Sequence, residues 1–356
     1  MLKNNRFLEL VGTTLPIIQS PMAGAQNHRL AIAVSKAGGL GSLPCAMLSV
    51  DDIESELSKY RQESNGPINL NFFCHTPAPT DTSKELAWKQ SLAEFYTEHG
   101  IDIDTPINAQ VRNPFNEVMC QLVEAFKPEV VSFHFGLPEK QLLARVKAAG
   151  CIVIASATTV EEAVWLEANG CDAIIAQGVE AGGHRGMFLS DDITTQPGLF
   201  ALLPQVADAV SLPIIAAGAI ADGRGIAAAF TLGANAVQMG TAYLLTNESL
   251  VSNLHREAIR NGSDSKTALT NVFSGKPARS LCNRVMDECG PISDDAPAFP
   301  NAGAALTPLK TAAEKTGSAD FSSLWSGQAA KFSQAVDAET LTKQLFENAL
   351  QHTTNC

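Results

Sequence analysis

The stretch A-I-I-A-Q-G-V-E-A-G-G-H-R-G, residues 173–186, joins a strand to a chemical site. The apolar run Ala173–Ala176 is typical of a buried strand, and a Gln-Gly pair ends it. In the loop that follows, Gly182 and Gly183 lack a Cβ, so backbone N–H groups can approach a flat ring or an anion. His184 adds an imidazole whose ordinary pKa of about 6.5 suits proton transfer. Taken alone, the motif also fits a surface turn with a solvated histidine.

Apolar runs that end in glycine alternate with helical patterns on both sides of this stretch. Long alternation with buried strands predicts a parallel sheet, and eight strands is the number in a TIM (β/α)8 barrel. An open doubly wound sheet is the competing fold, but Gly24 stands alone where that fold carries G-x-G-x-x-G. The strand-like runs cover residues 15–22, 39–43, 68–73, 129–135, 151–156, 173–177, 213–217 and 236–239.

Two segments break this alternation. Residues 74–114 hold four prolines around a helix predicted near Ser83–His99, which indicates an insertion after strand 3. From about residue 265 the chain becomes rich in Pro, Ala and Gly before a helical pattern at Ala338–Leu350. We therefore predict a barrel over residues 1–264 and a C-terminal accessory segment over residues 265–356 that covers the barrel mouth.

Composition narrows the class of protein. The chain has 356 residues, of which 45% are apolar and 17% charged, and its net charge is −12. This acidic balance disfavours nucleic acid and anionic membranes as partners. The N-terminus lacks a signal-peptide core and no apolar stretch reaches about 18 residues, so we expect a cytoplasmic protein, monomeric or homodimeric. The eight cysteines form no C-x-x-C pair and the seven histidines do not cluster, so we expect reduced thiols and no metal site.

The loops after strands 7 and 8 of such barrels commonly bind phosphate. Here Gly218 and Gly240 permit close backbone approach, and Thr241 adds a hydroxyl donor. A helix starting near Gly223 would add N-terminal N–H groups. Each glycine alone could simply turn the chain, but together they favour a phosphate.

Amide side chains recur at the predicted strand ends. They suit the pyrimidine edge of a flavin, although any one of them could instead make a hydrogen bond within the barrel. The run Met22, Ala23 and Gly24 could lay backbone and an apolar side chain against the ring. His134, at the end of strand 4, also points to the mouth or is a satisfied core histidine. The amide series is Gln19, Asn71, Gln177 and Gln238.

Six motifs resemble the nitronate monooxygenases, formerly called 2-nitropropane dioxygenases. The resemblance implies a TIM barrel that binds FMN without covalent attachment. It also implies oxidation of alkyl nitronates, with nitroalkanes as a further candidate, by oxygen to carbonyl compounds and nitrite without NAD(P)H. The motifs are P-I-I-Q-S-P-M-A-G (16–24), N-L-N-F-F (69–73), F-H-F-G-L-P (133–138), Q-G-V-E-A-G-G-H-R-G (177–186), P-I-I-A-A-G-A-I-A-D-G (213–223) and A-V-Q-M-G-T (236–241).

By this resemblance His184 is the active-site base and His134 lines the substrate pocket. Family members carry Tyr and Lys in a Y-P-x-A-Y-D-A-G-K-like run, where this chain has Phe299, Gly303 and Thr307. Loss of two hydroxyls and a cation is expected to weaken the hold on an anionic nitronate. The residues implied to hold FMN are Met22, Asn71, Gln177, Gly182, Gly218, Gln238, Met239, Gly240 and Thr241.

Two other functions stay open at this stage. An NAD(P)H-dependent FMN reductase of quinones or enoyl thioesters would use the same barrel, although the sequence shows no clear nicotinamide site. A non-catalytic flavin or phosphate binder is the other, and the histidine beside the paired glycines argues against it.

Overall fold

The computed structural model describes residues 5–79, 81–107, 112–262 and 266–353. The strands are β1 (Ile17–Gln19), β2 (Gly41–Pro44), β3 (Ile68–Phe73), β4 (Val130–His134), β5 (Ile152–Ala157), β6 (Ala173–Gln177), β7 (Gly183–His184), β8 (Ile214–Ala217), β9 (Ala236–Met239), β10 (Thr267–Thr270) and β11 (Ala278–Leu281). The helices are α1 (Arg6–Val11), α2 (His28–Lys36), α3 (Val50–Glu63), α4 (Thr82–Ser91), α5 (Ala93–Glu98), α6 (Glu117–Phe126), α7 (Lys140–Ala148), α8 (Val160–Ala168), α9 (Leu199–Ala209), α10 (Gly223–Thr231), α11 (Asn253–Asn261), α12 (Arg284–Glu288), α13 (Ala302–Lys315) and α14 (Ala338–Thr353).

Eight parallel strands of the described chain form a barrel in the order β1-β9-β8-β6-β5-β4-β3-β2. The ring closes where the Leu40 N–H donates to the Ile17 carbonyl and the Gln19 N–H donates to the Leu40 carbonyl, at 2.9 and 3.0 Å. The predicted (β/α)8 barrel is therefore confirmed, and the open doubly wound sheet is excluded. No helix in the described part of the chain is long and apolar enough to cross a membrane.

The barrel interior is apolar at one end and polar at the other. Inside the apolar end, Ile18, Ile154 and Ile215 pack together, and Phe7 of α1 closes that end with no exposed surface. Because side chains alternate along a strand, the next inward positions lie one pleat nearer the carboxyl end. Those positions are polar, with Ala217 of β8 as an apolar exception. The polar residues at these positions are Ser20, Asn71, Ser132, Ser156, Gln177 and Gln238. The fold thus places a polar site where barrel enzymes carry their active sites.

Helix α14 completes the helical layer around the barrel. It packs against α10 and α2, the helices that follow β8 and β1. Its Leu341, Leu345 and Ala349 are buried in the same core as those helices. The predicted C-terminal segment 265–356 therefore includes one helix of the barrel layer. Only the residues before α14 could cover the barrel mouth, as predicted for the whole segment. The division predicted between residues 264 and 265 lies outside the described residues.

A second apolar core joins the insertion to the C-terminal part of the chain. The single helix predicted near Ser83–His99 is two helices, α4 and α5, which pack against α12 and α13. The Trp88 indole N–H donates to the Ala302 carbonyl at 3.0 Å, and the Tyr96 hydroxyl donates to the Ala305 carbonyl at 2.6 Å. We call residues 81–107 and 266–325 the cap unit.

A three-stranded antiparallel sheet joins the cap unit to the segment that contains Gly183 and His184. Strand β11 pairs with β10 on one side and with β7 on the other, so that Ala278 lies opposite His184. The Gly-Gly-His segment, expected to be part of a loop, is thus a short strand. The backbone of His184 is held by this pairing rather than by a flexible turn.

Candidate active site

A cavity of about 530 Å³ lies at the carboxyl ends of the barrel strands, with part of the cap unit in its wall. This volume is within the range of about 300–1,000 Å³ that is usual for ligand and cofactor sites. Apart from Gln19 of the amide series, the structure brings together the residues predicted for the site, while their roles stay predictions. The cavity wall includes Met22, Ala23, Gly24, Asn71, His134, Gln177, Gly182, Gly183, His184, Gly218, Gln238, Met239, Gly240 and Thr241.

The imidazole of His184 lies among aromatic rings and has one hydrogen-bond partner among the described residues. Its Nε2 is 2.8 Å from the Ser274 hydroxyl, which is itself 3.3 Å from the Lys276 carbonyl. When that hydroxyl donates to the carbonyl, it accepts the Nε2–H of His184 and leaves Nδ1 with a free lone pair. The ring centroids of Phe299 and Trp325 are 5.5 and 5.4 Å from that of His184.

The surroundings keep His184 neutral. Burial lowers its pKa well below the ordinary value, and the positive charges of Arg112 and Lys276 lower it further, as do His134 and His75. A cationic imidazole in this position would be both desolvated and repelled. His184 is therefore unprotonated at neutral pH.

His134 is held on both ring nitrogens. Its Nε2 is 3.2 Å from the His184 carbonyl, which can only accept, so Nε2 carries the hydrogen. Its Nδ1, 3.1 Å from the Ser156 hydroxyl, then accepts. A Cβ on Gly186 would lie 2.9 Å from the His134 ring, which explains that glycine. His134 thus lines the cavity and also supports the backbone of His184.

Sequence reasoning missed the buried arginine that fixes the end of β6. Arg185 has no exposed surface and donates to the carbonyls of Gln177 and Gly178 at 2.7 and 2.6 Å. The Gln177 amide donates to the His184 carbonyl at 3.0 Å and accepts from the Gly186 N–H at 2.8 Å. The available signal was a charged residue, Arg185, within a glycine-rich motif. These bonds hold the loop, and both the nitrogen and the oxygen of the Gln177 amide already take part in them.

Gly182 has no room for a side chain, because the backbone that follows the cap unit lies against it. A Cβ at this position would lie 2.5 Å from the Gly327 nitrogen, closer than real contacts allow. The Gly327 N–H in turn donates to the Thr241 hydroxyl oxygen at 2.9 Å. The S-L-W-S-G-Q motif at residues 323–328 therefore packs backbone against backbone at the rim of the site.

The loops after β8 and β9, which were predicted to bind a phosphate, line the cavity. The predicted contribution of the α10 N-terminus has to be corrected. Gly218 has φ +130°, where a side chain is strained, and Ala219 follows at φ +50°. The start of α10 near Gly223 is not available to a ligand. The Asp222 carboxylate caps it by accepting from the Gly225 N–H at 3.0 Å, and a Cβ on Gly223 would meet α14. Any phosphate contact falls to the backbone around Gly218 and Gly240.

The amide side chains of the predicted series differ in how many of their polar atoms are hydrogen bonded within the protein. The Gln238 Oε1 is buried and has no hydrogen-bond partner among the described residues. The Asn71 amide nitrogen donates to the Ser132 hydroxyl at 3.0 Å, and its oxygen has no partner in the described part of the chain. Gln19 was wrongly placed in this series, because it is fully buried outside the cavity and bonded to Gln26.

Metal ligands do not assemble in the described residues, where no group of three or more His, Cys, Asp or Glu side chains could hold an ion. Other wall residues escaped sequence reasoning because each is isolated in its own segment, among them Arg112, Ser156 and His255. Trp325 also lines the wall, and it belongs to the S-L-W-S-G-Q motif.

Two buried histidines predict how stability depends on pH. Burial lowers the pKa of His134 and of His255 to about 4. Since the unfolded chain protonates near pH 6.5, it binds more protons than the folded chain between pH 6.5 and 4. The free energy of unfolding, measured with a chemical denaturant, should therefore fall between pH 7 and pH 5 by roughly 2 kcal/mol for each histidine. His255→Gln should remove its own share of the loss, roughly 2 kcal/mol, and an unaltered pH dependence in that variant would contradict the assignment.

Comparisons with known proteins agree with the barrel and its cavity. The family model described as nitronate monooxygenase matches residues 4–348. A nitronate monooxygenase of Pseudomonas aeruginosa is 39% identical over 345 residues, covering 96% of this chain and 98% of that protein. The crystal structure of nitroalkane oxidase from Streptomyces ansochromogenes superposes with a TM-score of 0.89 at 36% identity, covering 98% and 99% of the two chains. FabK from Thermotoga maritima gives 0.72 at 26% identity, covering 99% and 98%.

The fold, the site and these matches define an oxidoreductase built on a (β/α)8 barrel. Oxidation of nitronates or nitroalkanes is the activity that the matches support. The chain belongs to the nitronate monooxygenase family.

Proposed function

We propose that the protein binds FMN and oxidises alkyl nitronates with oxygen to carbonyl compounds and nitrite, with His184 as the base when the substrate is a nitroalkane. Nitroalkanes are a further candidate substrate. The observation that carries the proposal is a neutral imidazole on the wall of the same cavity as the Gln238 amide oxygen, which has no hydrogen-bond partner among the described residues.

The chain's residues fit a flavin. The buried Gln238 oxygen requires a donor, and the imide N–H of a flavin is one. Asn71 would contribute its free amide oxygen, Met22 an apolar contact with the ring, and the backbone at Gly218 and Gly240 would approach the phosphate. When bound, FMN supplies the redox chemistry, taking electrons from the substrate and passing them to oxygen.

His184 handles the proton. A nitroalkane carries an acidic C–H, and the neutral imidazole can remove that proton as a general base. With a nitronate, which has already lost the proton, His184 can only orient the anion. The rings of Phe73, Phe135, Phe299 and Trp325 surround the imidazole and limit its contact with water.

Anaerobic mixing tests the proposal. The purified yellow protein is mixed separately with an alkyl nitronate and with NADH or NADPH, and the visible flavin absorbance is followed. We expect rapid loss of absorbance with the nitronate and none with either nicotinamide. Under air, nitrite and a carbonyl compound should then form in equal amounts. Bleaching by NAD(P)H alone would instead favour the quinone or enoyl thioester reductase, and a protein purified without flavin would contradict both functions.

A further inference from the structure

The segment that departs from the family pattern supplies an apolar wall and no cation. Phe299 is 4% exposed, and its ring centroid is 5.5 Å from that of His184 and 5.7 Å from that of Phe135. Thr307 is exposed, and its hydroxyl donates to the Gly303 carbonyl of the same helix at 3.1 Å. Positions 303 and 307 therefore offer the substrate neither a hydroxyl nor a charge.

A cation reaches the same ring from a different part of the chain. Arg112, at the end of the insertion after β3, lines the cavity and places its guanidinium carbon 5.5 Å from the Phe299 centroid. The imidazole of His75 hydrogen bonds to the Arg112 backbone and lies 4.8 Å from the same centroid. The position of Arg112 is thus fixed relative to the ring beside His184.

The charge of Arg112 acts on the reacting groups. It is the first of the charges that lower the pKa of His184, so the guanidinium lies within the electrostatic reach of that imidazole. Lys276 also lowers that pKa, but it does not line the cavity, and its Nζ is 3.7 Å from the Asp191 carboxylate. Lys310 of α13 does line the cavity, and its Nζ is 3.9 Å from the Glu314 carboxylate.

We propose that Arg112 binds the two oxygen atoms of the nitronate anion and determines the preference for the charged nitronate over the neutral nitroalkane. A guanidinium presents a planar fork of N–H donors, which matches a planar group with two negatively charged oxygens. The insertion after β3 then provides the cation that the segment at residues 299–307 lacks. This inference rests on the proposed function, because it names the residue that selects its substrate.

Binding of sodium nitrate tests the role without any turnover. Nitrate is planar, singly charged and not oxidised, and isothermal titration calorimetry on the purified protein measures its affinity directly. Arg112→Gln should weaken nitrate binding roughly 10- to 100-fold, and Arg112→Lys should restore part of it. Arg224→Gln is the matched control, since Arg224 is exposed and lies 5.4 Å from the Phe332 ring. Unchanged nitrate affinity in Arg112→Gln, or equal losses in both Gln variants, would overturn the proposal.

Steady-state kinetics separate binding from a structural role. For Arg112→Gln we expect KM for an alkyl nitronate to rise by the factor found with nitrate, while KM for the nitroalkane, which is neutral until its proton is removed, changes severalfold at most. An equal rise in KM for both substrates would show that Arg112 only supports the fold. If the wild-type protein binds nitrate through Arg112 but oxidises no nitronate, the anion site stands and the proposed function fails.

Discussion

His184→Asn is expected to retain bound FMN and to lose activity on neutral nitroalkanes by roughly 10²- to 10⁴-fold, the usual contribution of a general base. The Asn amide is polar but cannot take the proton. Initial rates of nitrite formation, normalised to flavin content, measure the effect. Because a nitronate is already deprotonated, its rate should fall much less in the same variant.

The matched control for this substitution is His28→Asn. His28 lies on α2, where its Nδ1 is 2.8 Å from the Glu56 carboxylate, and it does not line the cavity. Its variant should keep both activities. An unchanged nitroalkane rate in His184→Asn would exclude His184 as the base, and equal losses on nitroalkane and nitronate would point to a role in binding alone.

Gly240→Phe is expected to abolish FMN binding. A Cβ at this position would lie 3.4 Å from the Ser20 Cβ and 3.5 Å from the Met22 sulfur, so the wall has no room for a ring behind it. The phenyl group must enter the cavity, where it takes the space proposed for the phosphate. The ratio of flavin absorbance to protein absorbance after purification measures the loss.

Gly240→Ala provides the control at the same position. Its Cβ makes only ordinary contacts and φ is −111°, so the alanine variant should keep its flavin. Far-ultraviolet circular dichroism establishes that both variants are folded. Full FMN occupancy in a folded Gly240→Phe protein would contradict the phosphate assignment.

Local pattern was sufficient to predict the barrel strands. The bounds of β3, β6 and β9 agree with the predicted runs because each run is apolar or alternating and is bounded by turn residues. The prediction failed at Gln19. Because side chains alternate along a strand, choosing the inward position one residue too early placed Gln19 in the site, where the structure has Ser20.

Contacts between distant segments could not be predicted in this way. The pairing of β7 with β11 joins two short segments that have no strand pattern of their own. Arg112 is a single charged residue in an irregular segment, and its neighbour Phe299 is far along the chain. Only the fold brings such residues together, which is why the cap unit and the cation at the site emerged from the structure alone.

The position of α14 has a consequence during synthesis on the ribosome. The apolar faces of α2 and α10 are covered by a helix that is translated after all eight barrel strands. The nascent barrel must therefore carry a hydrophobic groove on its outside until α14 emerges, and exposed apolar surface of this kind attracts chaperones and other nascent chains. The helical layer closes only after the cap unit has been synthesised.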